Sequence, residues 1–549
     1  AMHDQELILN AANDLLNNVP DMWDKGAYCY RFPNQNGFVL FVALGLKMFG
    51  ADNQMVFQYL NIPMLILSSF FLSKTIYLLF NDKKLARYSY ILLLGFFQLN
   101  CYVTFVYGTL YGLAVAGIFL LIKYFKKRNI VNGLVGISLL SIGYGFKSNY
   151  LIMIVAAFLL LLFDAIVKKS LKSVITLVWG IVFYVIIVTS ISSTIYHLTG
   201  KKVDEGTPNT AWVAMGLQES YKAPGWWNGY NAKVFADNEY DIPKTKEAIS
   251  QNISERMEEL KKDKDYTMSF FGKKTASQWS EGTFECFYIT NLDRGRLSNP
   301  TWTDSVKNLM VDGHSANRAV TTICNYFIVF LWLGIILFLI FDFRKLDAYK
   351  LIFAITFIGG FLFHLVWEAK GQYTIIYAYL MIPYMLRGYQ LLLRRVCNIS
   401  LGEKEAKEKR GTIIPVVVIA LVVIVIGISN NKVVNETIKL NGDKERYESY
   451  MSHQVDDLDD GNYTIIPGND SSVTLAGLIG NDKKYSDKFV VDCSLISLCG
   501  KNSNEISDQS LGILEGKIDP GTSVGLSATD RSIFQRWIVK KVKDNTYEI

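Results

Sequence analysis

The residues of this chain that could do chemistry are few, and they sit at the edges of apolar blocks. Near the amino end, His3-Asp4-Gln5-Glu6 opens a helical pattern whose apolar stripe runs through Leu7, Leu9, Ala11, Ala12, Leu15 and Leu16. Ionisable groups beside membrane-length apolar runs are functional candidates, because a bilayer edge is a costly place to keep idle charge. Arg31 precedes the turn Phe32-Pro33-Asn34-Gln35-Asn36, and Lys147 stands in Phe146-Lys147-Ser148-Asn149. Glu368, Lys370 and Tyr373 share the turn Trp367-Glu368-Ala369-Lys370-Gly371-Gln372-Tyr373. Cations converging on one cavity make a phosphate site, Arg as a bidentate fork and Lys as a point charge. Each group has a plainer alternative. The cations can snorkel or cap helix ends, and the acids can face water on an interfacial amphipathic helix.

The elements that must position these groups are membrane helices. Half of the 549 residues are hydrophobic, with 33 Phe and 31 Tyr. The apolar residues fall in blocks of roughly 17–25, the length that crosses a bilayer as a helix. The fold class is therefore an α-helical polytopic membrane protein. The spacing predicts ten visible spans, at about 55–80, 86–103, 106–124, 130–146, 148–164, 171–193, 320–342, 348–367, 371–393 and 412–429, with a first span expected ahead of Ala1. Residues 37–49 are apolar but too short to span and are expected to lie in the interface. No signal peptide is visible.

Basic clusters at Lys83-Lys84-Arg87, Lys123-Lys126-Lys127-Arg128 and Lys168-Lys169-Lys172 mark cytoplasmic loops. Residues 1–54, 194–319 and 430–549 are then extracytoplasmic, flanking the helical blocks 55–193 and 320–429 of a cell-membrane protein. The net charge of +6 sits mainly in short loops, so it reports topology rather than nucleic-acid binding. An ion-coupled transporter usually keeps acids or a histidine relay near mid-membrane, and the predicted spans are nearly free of charge. Arg31, Lys147, Glu368 and Lys370 lie instead at outer helix ends, where basic residues run against the positive-inside bias.

In the outer loop, residues 243–266 read as a helix with Ile249, Ile253, Met257 and Leu260 on one face. Lys273, Lys274, Trp279 and Glu281 punctuate another amphipathic segment. Residues 215–231, which include Glu219 and Pro224-Gly225-Trp226-Trp227-Asn228-Gly229-Tyr230, form a structured loop. The tail carries short strands at 463–466, 488–491 and 537–542, enough for a small α/β domain, and no catalytic motif. Asp456-Asp457-Leu458-Asp459-Asp460 lacks the Gly and terminal Glu of a calcium loop and reads as a solvated turn. Seven cysteines show no metal spacing, and Cys493 and Cys499 are the only close pair in a polar region.

The order of these pieces over roughly residues 1–393 resembles the GT-C membrane glycosyltransferases. The likeness is to the bacterial relatives of protein O-mannosyltransferases and aminoarabinose transferases, glycosyltransferase family 39-like. Asp4 matches the family's catalytic base, followed by Gln5 where many relatives carry Glu. Tyr30-Arg31-Phe32-Pro33-Asn34-Gln35-Asn36 looks like its Tyr/His-x-Pro turn, and 146–149 like its Lys-x-Asn turn. Residues 367–373 look like the late turn that contacts carrier phosphate. One departure is Tyr107-Gly108-Thr109, where many relatives read Tyr-Thr-Asp.

The resemblance implies a donor sugar on a polyprenyl-phosphate carrier and a hydroxyl acceptor on a cell-surface polymer or glycolipid. It implies one inverting displacement with Asp4 as base, and Arg31, Lys147, Lys370 and Tyr373 on the donor phosphate. Gln5, Glu6, Asn34, Asn36, Glu219, Trp226, Trp227 and Glu368 are the expected sugar or acceptor contacts, the aromatic ones by stacking or else as an interface belt. The partners are these substrates and membrane lipid, with no nucleic acid and no cofactor; a divalent cation is not indicated. Two other readings stay open: a lipid-linked sugar flippase or transporter, and a membrane-anchored assembly protein acting through its tail.

Overall fold

The computed structural model describes residues 4–50, 55–96, 98, 111–220, 223–287, 305, 308–309, 315–342, 347–395 and 414–439, and seven strands between 461 and 548. The chain divides into two compact units, a helical one built mainly from residues 2–289 and 319–447, and a second that includes 448–549.

The helical unit begins with α1 (Asp4–Asn17), a short α2 (Tyr28–Arg31) and α3 (Asn36–Phe49). Then come α4 (Met55–Phe80), α5 (Lys83–Leu94), α6 (Tyr111–Lys127), α7 (Ile130–Phe146), α8 (Leu151–Val167) and α9 (Leu171–Thr199). The outer-loop helices are α10 (Thr210–Gly216), α11 (Tyr230–Asp237), α12 (Ile242–Lys262) and α13 (Lys264–Trp279). The series closes with α14 (Ser315–Phe341), α15 (Ile352–Val366), α16 (Gly371–Arg395) and α17 (Ile414–Lys439).

Among the described residues, six helical stretches are long and apolar enough to cross a membrane: Met55–Phe80, Ser148–Val167, Leu171–Thr199, Ser315–Phe341, Ala348–Val366 and Val417–Val434. The protein is an α-helical membrane protein. The other expected spans differ in kind. Helices α6 and α7 are 17 residues each. Helix α5 has 12, and most of the expected 86–103 span after it lies outside the described residues. Helix α16 is the central rod, buried at every residue from 374 to 385. Protein surrounds it instead of lipid, which lets it carry Tyr377, Tyr379 and Tyr384.

Close helix crossings use glycine, as membrane interfaces do. A Cβ at Gly388 of α16 would stand 1.9 Å from the Gly334 oxygen of α14, and one at Gly37 of α3 equally close to the Gly145 oxygen of α7. Helix α3 buries Phe38, Val39, Val42 and Leu46 and leaves Leu44 and Met48 exposed, the one-sided pattern of an interfacial helix.

The helix expected at 243–266 breaks in two. Asp263 ends α12 and caps α13, its carboxylate accepting from the Tyr266 N–H at 2.9 Å. The buried face also differs from the expected one: Thr245, Ile249, Arg256 and Leu260 are buried, while Met257 is 39% exposed. Arg256 wins the inner position because it has polar partners there that a thioether could not use.

At one end of the helical unit, charges meet opposite charges. Arg128 forks onto Asp164 at 2.5 and 2.7 Å, Lys168 approaches the same carboxylate at 3.5 Å, and Ser173 donates to it at 2.5 Å. Arg387 reaches Asp342 at 3.1 Å, and Gln390 reaches Asp82 at 2.7 Å. These are the loops carrying the basic clusters, so they form a basic end.

In the second unit, β1 (Gly461–Thr464), β2 (Tyr485–Asp492), β3 (Leu495–Gly500), β4 (Ile506–Ile513) and β5 (Val524–Ala528) form an antiparallel sheet in chain order. β6 (Lys540–Lys543) pairs with β7 (Thr546–Glu548). The expected domain was α/β; among the described residues beyond 460 the regular structure is strand. Cys493 and the turn 456–460 lie outside the described residues.

Candidate functional site

The end opposite the basic loops is built around Lys274. Helix α13 starts at its Asp263 cap, and its period places Phe270, Lys274, Ser277 and Gln278 on one face, all buried. Lys274 has no exposed surface. Its Nζ donates to the Gly216 carbonyl at the end of α10 and, at 2.8 Å, to the Trp367 carbonyl just after α15. The space around its stem admits no side chain. A Cβ at Gly225, whose φ of +75° already favours glycine, would come within 2.7 Å of both Lys274 Cε and the Gly216 oxygen. A Cβ at Gly216 would meet the Trp367 oxygen at 2.5 Å. Burial pulls the Lys274 amine down to about 7, with the Glu368 carboxylate nearby opposing the drop.

The same node joins loop and turn through backbone and ring contacts. The Ala369 N–H donates to the Gly225 carbonyl at 2.7 Å, and Trp226 forms a single parallel bridge with Ala369. Trp226 is buried and its indole N–H donates to Ser277 Oγ at 2.9 Å. Gln278 donates to the His364 carbonyl at 3.3 Å, and Thr374 donates to the Gln278 carbonyl at 2.7 Å. The His364 ring is fully buried and stacks on Tyr373, with centroids 6.0 Å apart.

Beside it runs a second buried polar chain. Arg256 donates through Nε to the Leu217 carbonyl at 2.6 Å, and through its two Nη atoms to Glu259 at 2.5 Å and the Tyr266 hydroxyl at 2.7 Å. Tyr266 in turn donates to Glu219 Oε1 at 2.6 Å. Burial, with the Glu219 charge behind it, raises the phenol above its usual range. Asn228 donates to Gln218 Oε1 and to the Glu219 carbonyl, fixing the turn between them.

An aromatic ladder leads from this node to the first loop. Trp367 stacks on Phe363 at 4.7 Å and on Trp212 at 5.9 Å, and Trp212 meets the edge of Phe32 at 5.9 Å. The Arg31 guanidinium lies 5.3 Å from the Phe32 ring, and the Lys370 ammonium lies 5.7 Å from the Tyr373 ring. The Arg31 carbonyl accepts from the Thr207 N–H at 2.9 Å, which brings the outer loop onto the same turn.

The expected site residues therefore separate into groups. Glu219, Trp226 and Glu368 are buried within the Lys274 node and its polar neighbour. Arg31, Lys370 and Tyr373 are half-buried at the two ends of the ladder. Asn36 is buried, its Oδ1 accepting from the Trp23 indole at 3.0 Å, whereas Asn34 is exposed and Trp227 is 46% exposed. Lys147 ends α7, whose Gly145 packs against α3. Gln5 is half-buried on α1, which packs against α3; Asp4 and Glu6 are on the same helix, and their side chains lie outside the described residues.

Sequence reasoning did not single out Lys274 as buried, nor Arg256, Tyr266, His364 or Gln278. One signal was available for Lys274: it shares an α13 face with Phe270, and no acid stands one turn away along that helix. Compared with family models, with curated proteins and with solved structures, the chain matches none of them.

Proposed function

We propose that the chain is a membrane glycosyltransferase that moves a monosaccharide from a polyprenyl-phosphate carrier to a hydroxyl acceptor. In this reading the protein lies in the cell membrane with ten crossings, and residues 1–54, 194–319 and 430–549 are on the outer face. The observation that carries it is the ladder Phe32–Trp212–Trp367, which links the Arg31 turn to the turn bearing Glu368, Lys370 and Tyr373. Two cationic turns far apart in sequence are thereby tied together at the end away from the ion-paired loops.

Arg31, Lys147 and Lys370, with Tyr373, would receive the phosphate as it leaves with the electron pair of the broken anomeric bond. The acceptor oxygen would form the new bond from the opposite side while Asp4 takes its proton, so configuration inverts. Trp227 and Asn34, being exposed, are the accessible sugar or acceptor contacts, with Gln5 and Glu6 on the Asp4 helix. Asn36, Glu219, Trp226 and Glu368 would act from buried positions, holding the walls.

The test is transfer from a radiolabelled polyprenyl-phosphate sugar by the reconstituted protein, with the sugar and acceptor identified by mass spectrometry of surface glycans with and without the gene. Asp4→Asn should lose about a hundredfold or more of the rate with folding intact. Full activity in that variant removes Asp4 as base. Translocation of the lipid-linked sugar with no new glycosidic bond overturns the transferase.

A further inference from the structure

We propose that Lys274 is a buried strut, a positioning residue that holds the Gly216 turn of the outer loop and the 367–373 turn in one arrangement. The inference deepens the reading above, since Lys370 and Tyr373 belong to the turn it holds, but its main test needs no substrate.

The geometry points to a strut because one side-chain nitrogen donates to carbonyl oxygens of two separate segments, Gly216 and Trp367. Little else could replace it. Gly216 and Gly225 leave no volume for another side chain, and the Trp226–Ala369 rung is a single bridge with no sheet around it. An ammonium has three N–H donors and makes charge-assisted bonds; a neutral amine has two donors and a lone pair that no carbonyl welcomes. Two donors still match the two carbonyls, and because burial outweighs the attraction to Glu368, loss of the proton favours the buried arrangement over an opened one.

The titratable groups facing Lys274 are Glu368 in the turn and His364 at the end of α15. From α12, Arg256 is engaged with Glu259 and Tyr266, and Tyr266 of α13 with Glu219 of the loop. Burial brings the Lys274 amine to about 7, so the proton is exchanged in the range an outer-facing protein meets.

The experiment is amide hydrogen exchange of the full-length protein in detergent from pH 6 to 8.5, corrected for intrinsic rates. Peptides covering 216–220 and 366–371 should gain roughly tenfold in protection as pH rises across this range in the wild type, because the opened lysine binds a proton that the buried one has lost. In Lys274→Met the protection should be low throughout and independent of pH. If that variant does not fold, Gly225→Ala, which forces the Lys274 stem aside, should give the same local loss. Unchanged protection in either variant, or a pH step that persists in Lys274→Met, overturns the proposal. Where transfer is measured, Lys274→Met should raise the donor KM more than it lowers kcat. An equal fall in kcat and kcat/KM would refute positioning. Absence of any transfer, with the exchange pattern as expected, would refute the enzymatic reading alone.

Discussion

The two ends of the helical unit solve the same problem in opposite ways. At the basic end, Asp164 is buried but surrounded by Arg128, Lys168 and Ser173, so its charge is answered by charge. At the other end, Lys274 is buried against neutral carbonyl oxygens, with one carboxylate near it. A paired group keeps its charge over the working pH range; a group held by dipoles is left with a proton it can lose. The first arrangement suits a joint that must stay fixed, and the second suits one that responds.

The largest expected effect breaks this comparison by pH. The folded Lys274 pKa lies below its unfolded value of 10.5, so the folded state carries an unrelieved burial cost while both forms are protonated, below about 7. That cost is removed as pH rises from about 7 towards 10.5, so stability should increase by up to about 5 kcal/mol over the interval. Thermal unfolding in detergent should show this rise in the wild type and not in Lys274→Met; the same slope in both would make the two ends alike.

Next comes Asp164→Asn. It leaves Arg128 without its fork, but Arg128 is one-third exposed and can turn to solvent, so the cost is about 2–3 kcal/mol, below that of a fully buried pair. The loss should be nearly flat between pH 6 and 9 in the same unfolding assay, and a marked pH dependence would contradict the fixed-joint picture. The smallest effect belongs to Lys201–Asp24, an ion pair at 2.5 Å whose side chains are 44% and 53% exposed. Lys201→Ala should cost under about 1 kcal/mol and fade with added salt, which calibrates how little an exposed pair contributes.

Much of the helical unit could be read from apolar runs. The predicted 55–80 and 130–146 coincide with α4 and α7, because hydropathy alone decides where a helix can meet lipid. Asp263 was legible in principle as a cap three residues before Tyr266, yet the longer amphipathic pattern of 243–266 concealed it. The Lys274 node was not legible. In sequence, Lys273 and Lys274 are neighbours of one type on an amphipathic segment; only the approach of Gly216 and Trp367, 58 and 93 positions away, makes one of them interior. Arg256 was missed for the same reason: an apolar stripe suggested Met257, and the deciding partners came from Leu217 and Tyr266.

Helix α9 has a bearing on where the loop that follows it begins. Its 29 residues run about 43 Å, whereas the hydrocarbon layer is about 30 Å thick, so upright it overshoots by about two turns. The overshoot falls naturally on its hydroxyl-rich end, Ser190, Ser192, Ser193 and Thr194, ahead of His197 and the left-handed stop at Gly200. The following loop then starts clear of the hydrocarbon layer, carried on a stiff mast.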